Sequence, residues 1–410
     1  MHEWSDALRI SVVSPFLDRR HGTELCVIEQ IERLSSVHGW QIDLFSHHVE
    51  DVEGLLTEPP TSSSGGFIRW HKIPALPGPH LIKFVWWLLA NHYARALNRR
   101  KIGGARCILY SPGINCLDAD AITVHIVFHE FSKRASSESV FRRLPITKWP
   151  VALHRKIYYK LIMLLERRVY TNPRVRLAAV SAHVAAQLEK HFHRTDVAVI
   201  PNAVDTTSFN PDIRLARRLA SRKELALPDD AFVLLFIGND WKTKGLDVLL
   251  RALAIMPTPA KMLVVGGDDV GLYQTSLQKL GLEGRVRFLT TSSDVLSFYA
   301  ACDCYVAPTL EDAFGLPIIE AMACGLPVVA SIQAGASEQI KHGENGYLLE
   351  NPHDHVQLAD LIEKVASDPQ GSRQIGAAAA KHVQSATSWN QNVRMTKDFL
   401  EASAALTASR

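Results

Sequence analysis

The sequence predicts an α/β protein of two doubly wound domains, each built on a parallel β-sheet that helices cover on both faces. Apolar runs of strand length alternate with amphipathic segments of helical length, as parallel sheets require. This alternation occurs twice, and a polar stretch that contains Pro and Arg, residues 205–230, separates the two sets. Two such domains would face each other across a cleft, with ligands at the carboxyl ends of the strands.

The predicted elements follow a regular order. In the first set, strands at Arg9–Val13 and Gln41–Ser46 flank a helix at Glu24–Val37. The second set alternates strands and helices over Phe232–Gly238, Gly245–Ile255, Lys261–Val265, Leu272–Leu280, Val286–Leu289, Cys304–Ala307 and Pro327–Ser331. A final helix begins near Trp389. The length of 410 residues accommodates two or three domains of about 100–200 residues.

Composition and cysteine spacing exclude several classes of protein. Hydrophobic residues make up 47% and charged residues 21%, the balance of a globular protein. The six cysteines have neither zinc-site nor disulfide-framework spacing, so we expect buried thiols, a reducing compartment and no metal. The N-terminus lacks a signal-peptide pattern, and no apolar run reaches the ~18 residues of a membrane-spanning helix. These features predict a cytoplasmic protein.

Two segments favour an anionic partner. Leu81–Ala90 (LIKFVWWLLA) is either a half-buried helix or an interfacial helix whose aromatic face enters a bilayer. Between Lys133 and Arg176 there are twelve Lys or Arg residues and only two acids, Glu138 and Glu166. This excess suits peripheral contact with an anionic membrane, at the inner face of the cytoplasmic membrane, or an acidic acceptor. Nucleic acid is not expected, because no recognised binding module accompanies the charge.

The most informative segment is Pro308–Ala330, where an acidic loop leads from a strand end into a helix. Asp312 precedes this helix, and Glu320 lies in its first turns. A helix N-terminus carries partial positive charge that favours phosphate. The backbone amides placed to use it are those of Phe314, Gly315 and Leu316. Two carboxylates beside such a turn suit a ligand that has both hydroxyl and phosphate groups.

A second loop that could bind a ligand lies within Phe236–Leu250, between a strand and a helix. It carries Lys242 and Lys244. Cations in a loop at the carboxyl end of a parallel strand can neutralise a diphosphate, and no D-x-D arrangement suited to a metal-bound diphosphate accompanies them.

Both loops resemble those of the retaining glycosyltransferases of family 4, which have the GT-B architecture of two Rossmann-like domains. Residues 308–330 resemble the E-x7-E region of that family, with Asp312 and Glu320 at the acidic positions. In the family, the first carboxylate binds hydroxyl groups of the donor sugar and the second binds the ribose. Because the family usually has Glu at the first position, the resemblance leaves open whether Asp312 or the adjacent Glu311 contacts the sugar.

The loop after Phe236 resembles the family's G-R-x-x-x-x-K-G loop, whose Arg and Lys stabilise the leaving diphosphate without a metal ion. Lys244 matches the family Lys. Asn239 occupies the Arg position, and Lys242 is a candidate replacement that offers a point charge instead of a bidentate fork. The resemblance implies a donor site that includes all three residues.

The N-terminal half resembles the family more weakly. Gly22 and Thr23 open a helix after the first strand, where family members have a Gly-Gly or Gly-Thr turn beside the donor phosphates or the acceptor. His125 ends a predicted strand over Asp120–His125, where the family often has a histidine near the transferred sugar. His129 is a second, less regular candidate. The resemblance implies that His125, Lys244 and Asp312 are catalytic residues.

Residues 200–211 resemble the family's I-P-N-G-V-D-x-x-x-F linker, which sets the predicted domain boundaries. An acceptor-binding domain over 1–200, with a returning helix over 386–410, precedes a nucleotide-sugar-binding domain over 201–385. The resemblance implies a retaining transfer of a hexose-type sugar, from a UDP-sugar in preference to a GDP-sugar, to a glycan or lipid-linked acceptor. It implies no cofactor and a role in cell-envelope polysaccharide or lipopolysaccharide synthesis. Two alternatives remain: a non-catalytic nucleotide-sugar-binding protein of the same fold, and a nucleotide-sugar epimerase.

Overall fold

The computed structural model describes residues 8–19, 21–56, 65–101, 107–137, 149–292 and 294–408. Their contacts divide into two units: unit 1 within Met1–Ile200 and Asn392–Arg410, and unit 2 within Pro201–Gln391. The first division lies at the start of the linker motif. The second lies inside the last helix and not ahead of it. The binding roles assigned to the two domains remain predictions.

Unit 1 is built on a parallel sheet. Its strands are β1 (Arg9–Val13), β2 (Phe16–Leu17), β3 (Gln41–Ser46), β4 (His48–Val49), β5 (Leu55–Leu56), β6 (Phe67–Lys72), β7 (Ile108–Pro112), β8 (Ala121–Val124), β9 (Arg176–Ala179) and β10 (Ala198–Val199). Strands β2 and β4 pair with each other, and the others form one sheet in the order β10-β9-β8-β7-β1-β3-β6-β5. The chain therefore winds outward in both directions from the β1–β7 pair, as a doubly wound fold does.

The helices of unit 1 that precede the linker connect these strands. They are α1 (Gly22–Ser36), α2 (His80–Lys101), α3 (Phe128–Ser137), α4 (Trp149–Tyr170) and α5 (Ala182–Phe192). Helix α1 buries Val27, Ile28, Ile31 and Leu34 against the sheet. These positions recur at three- and four-residue spacing, so they form one stripe on the helix.

Unit 2 contains a second parallel sheet. Its strands are β11 (Phe232–Ile237), β12 (Ala260–Val265), β13 (Val286–Leu289), β14 (Cys304–Ala307), β15 (Val328–Ser331) and β16 (Tyr347–Leu349), in the order β13-β12-β11-β14-β15-β16. The helices are α6 (Pro211–Glu224), α7 (Leu246–Ile255), α8 (Gly271–Lys279), α9 (Leu296–Ala301), α10 (Leu316–Ala323), α11 (His355–Ser367) and α12 (Pro369–Ala386). This is the Rossmann strand order, and the predicted α/β class with parallel sheets is confirmed.

The last helix, α13 (Trp389–Ala408), begins at the predicted residue. Its Phe399 and Leu400 lie in the hydrophobic core of unit 1, and the side-chain Nε2 of Gln30 donates to Asn392 Oδ1 at 3.0 Å. The chain therefore returns from unit 2 to complete unit 1, as the GT-B architecture requires.

Three segments differ from the prediction. The helix predicted over Leu81–Ala90 extends to Lys101 and exposes much of its apolar surface. The strand predicted over Asp120–His125 ends at Val124, so His125 lies just beyond it. The polar stretch 205–230 contains α6, because Asn210 caps its N-terminus through Ile213 N and Pro211 occupies its first turn.

The cysteines are free thiols: five are buried, as predicted, and Cys107 is only half-buried. Across the described ranges, no helix is both long and apolar enough to cross a membrane.

A buried arginine joins helix α6 to the sheet of unit 2. The guanidinium of Arg222, 1% exposed, donates to Asp303 Oδ2 at 2.8 Å and to four carbonyl oxygens. Asp303 also accepts from Arg218 and from the amide of Val233. Removing one member of such a buried pair leaves an unbalanced charge and is costly.

We expect Asp303→Ala to lower the free energy of unfolding by about 3 kcal/mol, because it leaves Arg222 buried without its counter-ion. Asp294→Ala is the matched control, since it breaks an exposed pair with Arg217 and should cost under about 1 kcal/mol. Urea unfolding followed by circular dichroism measures both. Equal losses in the two variants would contradict a structural role for the buried network.

Candidate active site

The candidate site in unit 2 is built from two loops at the reversal point of its sheet. One loop, 238–245, follows β11, and the other, 308–315, follows the neighbouring strand β14. From these two strands the chain winds in opposite directions, which leaves a crevice at their carboxyl ends. The residues predicted to bind a nucleotide sugar from unit 2 lie on these loops and on helix α10.

The loops are joined by direct main-chain contacts. The amide of Leu310 donates to the carbonyl oxygen of Thr243 at 2.8 Å, and Thr309 Oγ1 lies 3.2 Å from the same oxygen. Gly245 has φ +82°, and a Cβ there would lie 2.1 Å from the carbonyl oxygen of Pro308. Only glycine allows this approach.

An ion pair connects the same two loops. Lys244 Nζ contacts Asp312 Oδ2, and both side chains are partly buried. The Asp312 backbone is itself held by the chain after β15, since its amide donates to Gln333 O and its carbonyl accepts from Gly335 N, each at 3.0 Å. Lys244 and Asp312, both predicted to be catalytic, are therefore in contact across 68 residues of chain.

The N-terminus of α10 faces this ion pair. Gly315 caps the helix with φ +91°. The Phe314 amide donates to Asp312 Oδ1 at 3.3 Å, so of the three amides predicted to receive phosphate this one is already engaged. In the ranges that the structure describes, the amides of Gly315 and Leu316 have no hydrogen-bond acceptor. These two amides fit an anionic ligand at the helix N-terminus.

Glu320 lies on the first turns of α10 and is half-buried, while Ile318 and Ile319 are fully buried as expected. The hydroxyl of the buried Tyr299 donates to Glu320 Oε2 at 2.6 Å. Burial raises the pKa of Glu320, and the hydrogen bond from Tyr299 opposes that rise. The tyrosine orients the carboxylate, and within the described chain the second oxygen, Oε1, accepts no hydrogen bond.

The side chain of Asn239 braces its own loop. Its Oδ1 accepts from the amide of Gly267 at 2.9 Å. Asp268 then accepts from the amides of Asp240 and Trp241, at 3.0 and 2.7 Å. The oxygen of Asn239 is thus engaged within the protein, and Lys242 is exposed on the same loop.

Glu311 lies between Thr309 and Asp312 on the β14 loop, and its carbonyl oxygen accepts from Thr309 Oγ1 at 2.9 Å. Asp312 is the carboxylate that contacts Lys244. A contact between one of these two carboxylates and a donor sugar stays a prediction.

Two supporting residues were not identified from the sequence. Asp268 stands in the Gly-Gly-Asp-Asp turn after β12, and its position after a strand was a usable signal for a loop-bracing role. Tyr299 lies in an apolar segment of α9 with no local pattern that marks it. Only the fold brings Tyr299 to Glu320.

The predicted residues of unit 1 lie at strand ends of its own sheet. Gly22 and Thr23 open α1, and the preceding His21 pairs through Nδ1 with Asp18 at 2.8 Å. His125 follows β8 and is half-buried. Burial lowers the pKa of its imidazole to about 4, so the ring is neutral near pH 7. A catalytic role for His125 stays a prediction.

His129 has a structural partner. Its Nδ1 lies 2.6 Å from Oε2 of Glu166, which is fully buried and also accepts from the amide of Phe128. The histidine ring and the backbone amide of Phe128 thereby hold a buried carboxylate by hydrogen bonds at the start of α3.

No group of three His, Cys, Asp or Glu side chains that could hold a metal ion occurs in the described part of the chain. The charged groups on the two loops of unit 2 are those of Asp240, Lys242, Lys244, Glu311 and Asp312, and Glu320 lies on the adjoining helix α10.

Comparison with known proteins finds a matching family over part of unit 2. Residues 217–382 match the family described as Glycosyl transferases group 1, and this range contains both loops and α10. The similarity to this family thus lies within unit 2.

Individual proteins support the same class. The chain is 33% identical over 238 residues to D-inositol 3-phosphate glycosyltransferase of Thermomonospora curvata. The aligned region covers 53% of this chain and 54% of that protein. The chain spans about half the length of the curated relatives it matches.

Solved structures extend the similarity to the whole fold. WaaG, a glycosyltransferase involved in lipopolysaccharide biosynthesis, has a TM-score of 0.72 at 17% identity and covers 95% of this chain and 99% of its own. HepE of Anabaena in complex with UDP-glucose has a TM-score of 0.67 at 21% identity, covering 97% of this chain and 100% of its own. The chain has the GT-B fold of these proteins.

The lowered pKa of His125 makes unit 1 sensitive to acid. An unfolded histidine has a pKa near ~6.5, so between there and about 4 the unfolded state binds more protons and stability falls as pH falls. We expect His125→Gln to remove about 2 kcal/mol of the stability loss between pH ~7 and ~5. Urea unfolding of both proteins at the two pH values measures this. Exposed His38→Gln should leave the loss unchanged, and an unchanged loss in His125→Gln would contradict the burial argument.

Proposed function

We propose that this protein is a retaining, metal-independent glycosyltransferase of family 4 that transfers a hexose-type sugar from a nucleotide sugar. The observation that carries the proposal is the contact between Lys244 and Asp312 at the reversal point of a group 1 domain. It puts a cation for the diphosphate and a carboxylate for sugar hydroxyls side by side.

The chemical role of these groups is electrostatic. As the bond to the diphosphate breaks, negative charge grows on the leaving phosphate, and Lys244 with the amides of Gly315 and Leu316 stabilises it. The protein holds these groups in place beforehand, so little reorganisation is needed during the reaction. A protein cation supplies here what a metal ion supplies in other transferases.

Glu320 is the proposed ribose-binding group. Its Oε2 is held by Tyr299, and Oε1 is left to accept a ribose hydroxyl. A site built to hydrogen-bond a hydroxyl discriminates strongly against ligands that lack it. A uridine nucleotide is favoured, because the structurally similar HepE is described with UDP-glucose.

We assign acceptor binding to unit 1 and place the reaction in the cytoplasm, at the inner face of the membrane, with a glycan or lipid-linked acceptor. The role in cell-envelope polysaccharide or lipopolysaccharide synthesis is supported by the description of WaaG. The basic character of 133–176 supports an anionic surface near the acceptor. Part of that stretch, 138–148, lies outside the described residues.

One observation favours a second candidate function. Asn239 takes the place of the family Arg, and its oxygen is engaged by Gly267. A protein that binds the nucleotide sugar but does not transfer the sugar would tolerate that loss of charge.

We expect one of UDP and GDP to bind wild-type protein, and Lys244→Ala and Glu320→Ala to lower its affinity at least about tenfold, since each removes a charge-assisted hydrogen bond. Isothermal titration calorimetry measures this. Lys279→Ala, at the far end of α8, is the matched control and should bind like wild type.

Binding of neither nucleotide by folded protein would contradict the donor site. Normal nucleotide binding without release of sugar from any donor and acceptor pair would favour the non-catalytic alternative.

Asp312 should separate sugar from nucleotide recognition. We expect Asp312→Asn to retain UDP affinity, because it removes a carboxylate that repels the diphosphate, and to lose the extra affinity that the hexose adds. Calorimetry with UDP and with a series of UDP-hexoses, UDP-glucose first, measures the difference. If both ligands weaken equally, Asp312 acts only by positioning Lys244.

A further inference from the structure

Helix α2 buries a mostly polar face and exposes an apolar one, the opposite of a usual surface helix. Its buried residues are mostly polar: Trp87, Asn91, Arg95 and Asn98. Arg95 donates to both oxygens of Asp118, at 3.0 and 2.8 Å, and to Asn91. The inner face of this helix is therefore held by hydrogen bonds and an ion pair, and not by an apolar stripe.

The outer face of α2 carries the apolar residues instead. Leu89 and Tyr93 are 64% and 67% exposed. The exposed apolar side chains are those of Ile82, Val85, Trp86, Leu89, Tyr93 and Leu97. Their three- and four-residue spacing puts them on one stripe of the helix. Surface helices normally turn such a stripe to the core, so a solvent-facing stripe indicates a partner.

Helix α4 extends this surface. It packs beside α2, with the Phe84 and Tyr158 rings 5.8 Å apart and the Leu81 amide 3.3 Å from His154 Nε2. Its own exposed apolar side chains are those of Leu153, Ile157 and Leu164. The outer side of the two helices, here called the α2–α4 face, thus combines two apolar rows.

The charge of the α2–α4 face has one sign. The exposed basic side chains are those of Lys83, Arg99, Arg100, Lys101, Arg155, Lys156, Lys160, Arg167 and Arg168. The two helices contain a single acid, Glu166, and it is fully buried. An apolar stripe flanked by cations, with no exposed acid on either helix, is the pattern of an interfacial helix on an anionic bilayer.

We propose that the α2–α4 face docks on the surface of an anionic lipid bilayer. Leu89, Tyr93 and their apolar neighbours enter the boundary between headgroups and acyl chains, and the Lys and Arg side chains contact lipid phosphates. A second copy of the chain is disfavoured as occupant, because two such basic faces repel each other. This docking inference rests on the membrane location given under the proposed function. The residues of the α2–α4 face lie in unit 1, so lipid binding there can be tested separately from nucleotide binding in unit 2.

Co-sedimentation of the full chain with vesicles tests this inference. Wild-type protein should bind vesicles of phosphatidylcholine and phosphatidylglycerol in equal parts, lose binding as salt rises, and ignore phosphatidylcholine alone. Lys160→Glu should weaken binding about 30-fold, since it changes two units of charge at the surface. Lys223→Glu, on exposed α6 of unit 2, is the matched control and should bind like wild type.

The apolar contribution has its own pair of variants. Leu89→Ser should weaken vesicle binding about tenfold, because one leucine no longer leaves water. Leu219→Ser removes a leucine that is 73% exposed on α6, against 64% for Leu89, and should have no effect. Failure of wild type to sediment with the anionic vesicles, or equal binding by Leu89→Ser and Leu219→Ser, would overturn the proposal.

Two further measurements separate the remaining outcomes. A dimer in sedimentation velocity that Leu89→Ser dissociates would assign the α2–α4 face to a second copy, which overturns lipid docking. Calorimetric nucleotide binding in the absence of vesicles reports on the donor site alone. Its failure concerns the proposed chemistry, and failure of vesicle binding concerns the docking surface.

Discussion

The candidate site depends on the close approach of two loops where the strand order of unit 2 reverses. Gly245 allows the loop after β11 to touch Pro308, and the main-chain contacts of Thr243 keep the two loops together. Lys244 and Asp312 meet only because of that approach. A side chain at Gly245 would displace the β14 loop and so separate Lys244 from Asp312, the two groups proposed to contact the diphosphate and the sugar of the donor.

Charge is arranged differently in the two units. In unit 2, opposite charges lie at the carboxyl ends of the strands, and each is held by a neighbour, Asp312 by Lys244 and Glu320 by Tyr299. In unit 1, the outer side of α2 and α4 displays cations together with apolar side chains. The first arrangement suits a small anionic ligand with hydroxyl groups, and the second suits an extended anionic surface.

Burial and polarity are also decoupled in unit 1. Helix α2 packs against unit 1 mostly through the polar residues Asn91, Arg95 and Asn98. Most of its large apolar side chains are therefore left on the solvent side. The short hydrophobic run LIKFVWWLLA therefore has a buried and an exposed side. Trp87 is buried and its indole NH donates to Asn115 O, whereas Leu89 faces outward. The sequence of this segment is compatible with a half-buried helix and with an interfacial helix. The helix is half-buried, and its exposed apolar stripe is also what an interfacial helix presents.

Local pattern alone was enough for the doubly wound class and for strands β11–β15, because parallel strands are apolar throughout. The GT-B resemblance and the choice of Lys244, Asp312 and Glu320 rested on the motifs of the two loops, and that choice stays a prediction. Pairings between distant residues were beyond it. Tyr299 reaches Glu320, Asn239 turns its oxygen to Gly267, and α2 faces outward only once the sheets have formed. Sequence periodicity determines which residues share a face of a helix, but the neighbours available in three dimensions decide whether that face is buried.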